Sequence, residues 1–274
     1  MQTILIPFSK NAPKDKMKAS IPLIANKSTS KLQFIHVITL PSAVGLIDLM
    51  ATKTDHVEEE LRADEENAFN EFMEELKKDG YQVEVSKPVG FFDQEFIELA
   101  NTLMPDYIIM FTQGSHSVVE DIFGTHTSAI FEKIKSPIFV MPYDSNVTSF
   151  SKAAVGLNME NEDFNVLNTY FKFETDFNLT SSFIKIDNNF QLDIINDEQV
   201  LEKLHKMYPG KIEYIVHRQA EDVAEGLEKY SNEANADLIV LFTTKRNIIE
   251  KLFHKSVTKD LVLHSKKPLL IYHY

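Results

Sequence analysis

The chain has 274 residues, 43% of them hydrophobic, a net charge of −13 and no cysteine. A phosphate backbone is held by clustered Lys and Arg, so this charge balance argues against a general nucleic-acid binder. The absent thiols exclude disulfides, zinc–thiolate sites and cysteine catalysis.

The N-terminal stretch MQTILIPFSKN lacks a basic region followed by a long apolar run, and there is no 18-residue apolar span. The expectation is a cytoplasmic protein with no signal peptide and no membrane partner. In chain order, Thr3–Pro7 predicts a short buried strand, and Asn11–Asn26 a helix through Met17, Leu23 and Ile24. Leu32–Ile38 predicts a second strand, with the imperfect alternation of a parallel strand covered on both faces. Leu40–Thr54 is an apolar-rich connection that reads as a flexible lid or a short helix. Asp55–Asp79 predicts a long acidic helix burying Leu61, Ala68, Phe72 and Leu76 and stopped by Gly80. Its Glu58–Glu60 and Asp64–Glu66 clusters read as a solvated face. Gln82–Val89 predicts a third strand, and Asp93–Leu103 a helix capped by Asp93. Tyr107–Met110 predicts a fourth strand, Thr125–Ile134 a helix, and Ile138–Met141, after Pro137, a fifth strand.

The stretch Asp106–Tyr143 returns as Asp237–Tyr274. Asp106 pairs with Asp237, Phe111-Thr112 with Phe242-Thr243, and Pro137 with Pro268, all at an offset of 131. Upstream, Leu5–Ser9 lies over Ala154–Asn158, and Phe34-Ile35 over Phe183-Ile184, at an offset of 149, so the second copy is 18 residues shorter between its second and third strands. The repeat implies two domains, 1–144 and 150–274, joined by a short polar linker. In the second, strands are expected at Lys152–Leu157, around Phe183-Ile184, at Lys211–His217, from Asp237 and at Leu269–Tyr272, and helices at Asp197–Tyr208 and Asp222–Glu233. The fold class is therefore α/β, two tandem doubly wound five-stranded parallel sheets. Ligands of such sheets bind beyond the C-terminal strand ends, where strand order reverses.

A strand, a glycine turn at Gly114 and a helix start at Gly124-Thr125 form a pattern in which free N–H groups can meet an anion, with Thr125 as cap. Spacing and repeat together resemble the universal stress protein family, whose C-terminal half carries a Gly-x-x-Gly turn, nine residues, then Gly-Ser or Gly-Thr, with a Pro before the last strand. Gly114, Gly124 and Thr125 match; Phe111 stands where the first glycine belongs. The second copy has Phe242, Lys245 and Lys255 at the three glycine positions and keeps only Ser256.

The resemblance implies the adenine-nucleotide-hydrolase-like strand order 3-2-1-4-5 and an adenine-nucleotide site, for ATP or AMP, in the first domain. Pro7 and Val37 match positions lining the adenine, with Phe8 between Pro7 and Ser9. Met110 matches a backbone position near the base. Gly114, Gly124, Thr125 and His126 match the phosphate loop. The family's ribose-binding Asp is replaced by Ser9 here and by Asn158 in the second copy. If position 111 needs a positive φ, Phe111 is strained; if it does not, the ring either blocks the ribose or packs, and Phe242 in a copy without the loop favours packing. Lys245 and Lys255 fill space that a phosphate loop needs, so the second copy reads as degenerate. Its cluster Lys245, Arg246, Lys251, His254 and Lys255 reads as a solvated face or a docking site for an acidic partner.

No catalytic residue is legible. There is no nucleophile elbow and no GxxxxGK[ST], and His36, His116, His217 and His264 are scattered without metal-ligand spacing. No metal is expected beyond nucleotide-associated Mg, and any enzyme activity is at most slow ATP hydrolysis. The rival reading is a stress-adaptation scaffold that works through an unidentified protein partner. The two fifth strands are apolar edges, so they are expected to pair antiparallel as an intramolecular pseudo-dimer; a further homodimer stays open.

Overall fold

Short apolar runs ended by Pro, Gly or polar residues form ten strands in the computed structural model, which describes residues 1–8, 13–38, 55–112, 133–157, 164–187, 197–243, 257, 261–262 and 265–273. They are β1 Gln2–Pro7, β2 Ser30–Ile35, β3 Gln82–Ser86, β4 Tyr107–Thr112, β5 Ile138–Pro142, β6 Lys152–Gly156, β7 Thr180–Asp187, β8 Ile215–Gln219, β9 Leu238–Thr243 and β10 Leu269–His273. The described helices are α1 Lys14–Ser20, α2 Asp55–Lys78, α3 Phe92–Leu103, α4 Val166–Asp176, α5 Asp197–Met207 and α6 Val223–Glu233. The expected lid at Leu40–Thr54, most of the Thr125–Ile134 helix and the Lys245–Lys255 cluster lie outside the described residues.

The strands form one mixed sheet in the order β3-β2-β1-β4-β5-β10-β9-β6-β7-β8, so each repeat keeps the expected 3-2-1-4-5 order. Neighbours within a repeat run parallel, as β1 does with β2 and β6 with β7. The expected antiparallel pairing of the fifth strands is present, with Leu269 opposite Val140 and Ile271 opposite Ile138. All five residues of β5 are buried, as are four of the five in β10. The chain packs as two compact units, Met1–Met110 and Phe111–Tyr274, a division that falls inside β4. β5 groups with the second unit because its ladder partner β10 is there.

Three expectations are corrected. Asn11–Asn26 yields only α1 and a 3-10 turn at Ile21–Leu23, where Pro22 sits. Asp93 does not cap α3; Phe91 holds the cap position without a side-chain bond, and Asp93 lies in the first turn. The third strand of the second repeat starts at Ile215, not Lys211, whose ammonium instead binds Glu174 at 2.9 Å. Asp222, by contrast, caps α6 by accepting from the Glu225 N–H at 2.9 Å. Gly80 ends α2 with a φ of 96°, and the repeat-equivalent Met104 and Asn235 take φ of 45° and 50° beyond α3 and α6.

Both repeats fix the register of their first and fourth strands with the same device. The Thr3 N–H donates to Asp106 Oδ2 at 2.7 Å, while the Asp106 N–H donates to the Thr3 carbonyl at 2.8 Å. In the second repeat Asp237 Oδ2 accepts from the Ser151 N–H, the Ser151 hydroxyl and the Lys152 N–H, at 2.9, 2.6 and 3.0 Å. Burial disfavours the charged form of Asp237, but these bonds and the Lys267 charge outweigh it and hold the carboxyl below its ordinary 3.8. A depressed carboxyl contributes stability above its unfolded pKa and loses it as pH falls. Asp237→Asn should therefore lower the melting temperature most at neutral pH, with the gap to wild type shrinking as pH drops below 3.8. A gap that does not change with pH would contradict this.

Candidate functional site

In the first repeat the strand order reverses between β1 and β4. Backbone groups alternate along a strand, and the Phe8 N–H donates to the Ile35 carbonyl of β2 at 2.9 Å. The N–H groups of residues 3, 5 and 7 therefore face β4. The last of these is Pro7, which has no N–H to give. β1 and β4 are in register at Ile4 with Tyr107 and Leu5 with Ile108. At Pro7's place the second repeat has Gly156, and its first and fourth strands stay in register from Ala153 with Leu238 to Gly156 with Leu241. The ground above Gly156 is also occupied: a Cβ there would meet Leu227 Cδ2 at 3.2 Å and Leu241 Cδ2 at 3.5 Å. In the first repeat the register given runs from Ile4 to Leu5 and Pro7 offers β4 no N–H, whereas the second repeat's pair runs on to Gly156.

Of the residues expected at the site, Pro7, Phe8, Val37 and Met110 are described; Ser9, Gly114, Gly124, Thr125 and His126 lie outside the described residues. Pro7, Phe8 and Met110 are buried, and Val37 is half-buried. The Phe8 ring turns toward α2, edge-on to Phe69 at 4.7 Å and to His36 at 5.8 Å. Phe69 is fully buried and sits between the His36 ring, stacked at 5.2 Å, and Lys87 Nζ, 5.0 Å from its centre. Lys87 also binds Glu66 at 2.8 Å and Asn70 at 3.2 Å. Sequence reading treated His36 as isolated; the adjacency of the β2 and β3 ends, which brings Lys87 beside it, is the signal that it lacked. Among the described residues no group of three or more His, Asp or Glu could hold a metal ion, and no helix is long and apolar enough to cross a membrane.

Residues 187–273, from the end of β7 to β10, match the model of the Universal stress protein family. The matched segment lies within the second repeat. The fold extends the likeness along the whole chain. A universal stress protein from Archaeoglobus fulgidus DSM 4304 superposes with a TM-score of 0.72 at 15% identity, covering 99% of this chain and 96% of that one. A functionally unknown protein from Pseudomonas aeruginosa PAO1 gives 0.66 at 13% identity, covering 100% and 92%. A universal stress protein in complex with cAMP aligns with 52% of this chain and 97% of its own, at 14% identity and a TM-score of 0.34. No curated protein matches the sequence.

The chain departs from the family's expected pattern at Phe111, and the backbone shows how. Phe111 lies within β4, and the described non-glycine residues with positive φ are Met104, Asn178 and Asn235, so position 111 carries no such strain. Its ring is 6% exposed and stacks on Tyr143, centroids 5.7 Å apart and planes 7° from parallel. Burial pushes the Tyr143 phenol well above its ordinary value, as expected for a ring inside the core. The Tyr143 N–H donates to the Thr112 carbonyl at 2.8 Å, which fixes the stack to the strand ends. Phe242 has the same kind of partner, stacking on Tyr272 at 5.5 Å. Phe111 is a packing residue, and Phe111→Ala should cost about 3–5 kcal/mol of unfolding free energy, read by urea denaturation. A loss within experimental error would assign the ring to the ligand side instead.

Proposed function

We propose that the chain is a tandem universal stress protein, with repeats 1–144 and 150–274, whose first repeat binds an adenine nucleotide, ATP or AMP, in a cytoplasmic stress response. The observation that supports this most is Pro7 at the end of β1, which gives β4 no N–H, against the pair that runs on to Gly156 in the second repeat. In this reading Pro7, Val37 and Met110 border the base, with Phe8 holding the β1 end on α2. Ser9 meets the ribose, and Gly114, Gly124, Thr125 and His126 receive the phosphates. Mg enters only with the nucleotide. The residues supply positioning and phosphate contact but no base or nucleophile, so turnover is at most slow hydrolysis. A second reading, a scaffold that binds protein and no nucleotide, is favoured by the burial of Pro7, Phe8 and Met110.

Calorimetric titration with ATP separates the two. The nucleotide reading expects at most one ATP per chain. A hydrogen bond to a charged group is worth about 1.5–3 kcal/mol, so Ser9→Asp should tighten binding by about tenfold or more. Two equivalent sites would overturn the assignment of binding to the first repeat. No heat from either protein at millimolar ATP leaves the scaffold.

A further inference from the structure

We propose that the β3 corner of the first repeat docks a short extended segment of a partner protein by strand addition, a segment apolar on alternate residues and carrying Lys or Arg. This holds whether or not nucleotide binds. The corner is where the β2 and β3 chains run on beyond their strands. Ile38 bridges Val89, the Ile38 N–H donates to the Pro88 carbonyl at 2.9 Å, and the Gly90 N–H donates to the Ile38 carbonyl at 3.1 Å. Phe91 is 70% exposed there, Val89 55%, and Ile38 and Val85 39% each, so four large apolar side chains stand in water together.

The second repeat shows the same corner in a solvated form. Asp187 pairs with Gln219 as Ile38 does with Val89, and Asp222 holds the cap position of α6 that Phe91 holds in α3. Val85 has its counterpart in Ile215, which is 8% exposed. Three polar residues of one repeat are thus apolar in the other, on an equivalent backbone. A merely solvated corner has no need of this substitution; a docking surface does.

The backbone supplies the geometry. The His36 N–H donates to the Ser86 carbonyl and the Ile38 N–H to that of Pro88, so the even-numbered residues of β3 face β2. Val83, Val85 and Lys87 turn their N–H and carbonyl groups outward, and among the described residues none has a backbone partner there. An extended segment laid along β3 would pair with these groups and set alternate side chains against Val85 and Val89.

Size and charge select the occupant. Four side chains fall short of the roughly 800 Å² that each partner contributes to a standard interface, which fits a linear segment better than a second folded copy. Two copies of a −13 chain also repel. Glu95 lies against Gly90, and Asp93 and Glu95 form the acidic first turn of α3 beside Phe91, which favours a basic ligand.

The test uses the full chain and a fluorescent peptide alternating valine with lysine, with fluorescence anisotropy as the readout. Saturable binding is expected, and Val89→Gln with Phe91→Asp, the residues of the second repeat, should weaken it at least tenfold. Both side chains are exposed, so the fold should survive, as circular dichroism would check. Hydrogen exchange should show peptide protecting the amides of Val83, Val85 and Lys87. No saturable binding at millimolar peptide, equal binding of a valine–glutamate peptide, or indifference to the double variant would each overturn the proposal. So would sedimentation showing a wild-type dimer that the double variant dissolves, since a second copy would then cover the corner.

Discussion

The antiparallel pairing of β5 with β10 is the constraint on which the sheet depends. A doubly wound half of this kind ends in a fifth strand whose outer edge is unpaired, and here every residue of β5 is buried and apolar or Pro. Left open, such an edge invites pairing with other chains. Joining Ile138–Val140 to Leu269–Ile271 closes both edges at once and makes a mixed sheet from two parallel arrays. Side chains reinforce the seam. Phe139 stacks on Phe150 at the start of the second repeat at 6.0 Å and meets Phe173 of α4 at 5.7 Å, so the opening residue and first helix of the second repeat are built into the core around it.

The repeat and this pairing were legible in the sequence from apolar runs and their spacing, whereas the strand order came from the family resemblance. The constant offset of 131 aligns Pro137 with Pro268 and so locates both fifth strands. What the sequence hid were contacts between residues far apart in it. Asp106 and Asp237 matched as repeat positions, yet nothing local says that their carboxylates hold Thr3 and Ser151. Pro7 was legible as a strand end, but which neighbour it deprives of a donor depends on the alternation set by the Phe8–Ile35 bond. The missed cap at Asp93 is a local error of another kind: an acidic residue near a helix start fits the cap or the first turn equally well, and backbone geometry decides.

The two repeats diverge at the points where function would lie. The second replaces Pro7 with Gly156, fills the strand ends with Leu227 and Leu241, and makes the outer corner polar. The first has Pro7, with no N–H to give β4, at the switch point and leaves Ile38, Val89 and Phe91 in water. Both repeats keep their aspartate clamp and aromatic stack.

Hydrogen exchange with and without ATP tests that division most directly, because it reads both repeats in one experiment. Peptides covering Leu5–Phe8 and Ile109–Met110 should gain protection when ATP is added, while those covering Val155–Leu157 and Val240–Leu241 stay unchanged. Equal protection of both sets, or protection confined to the second repeat, would contradict the account.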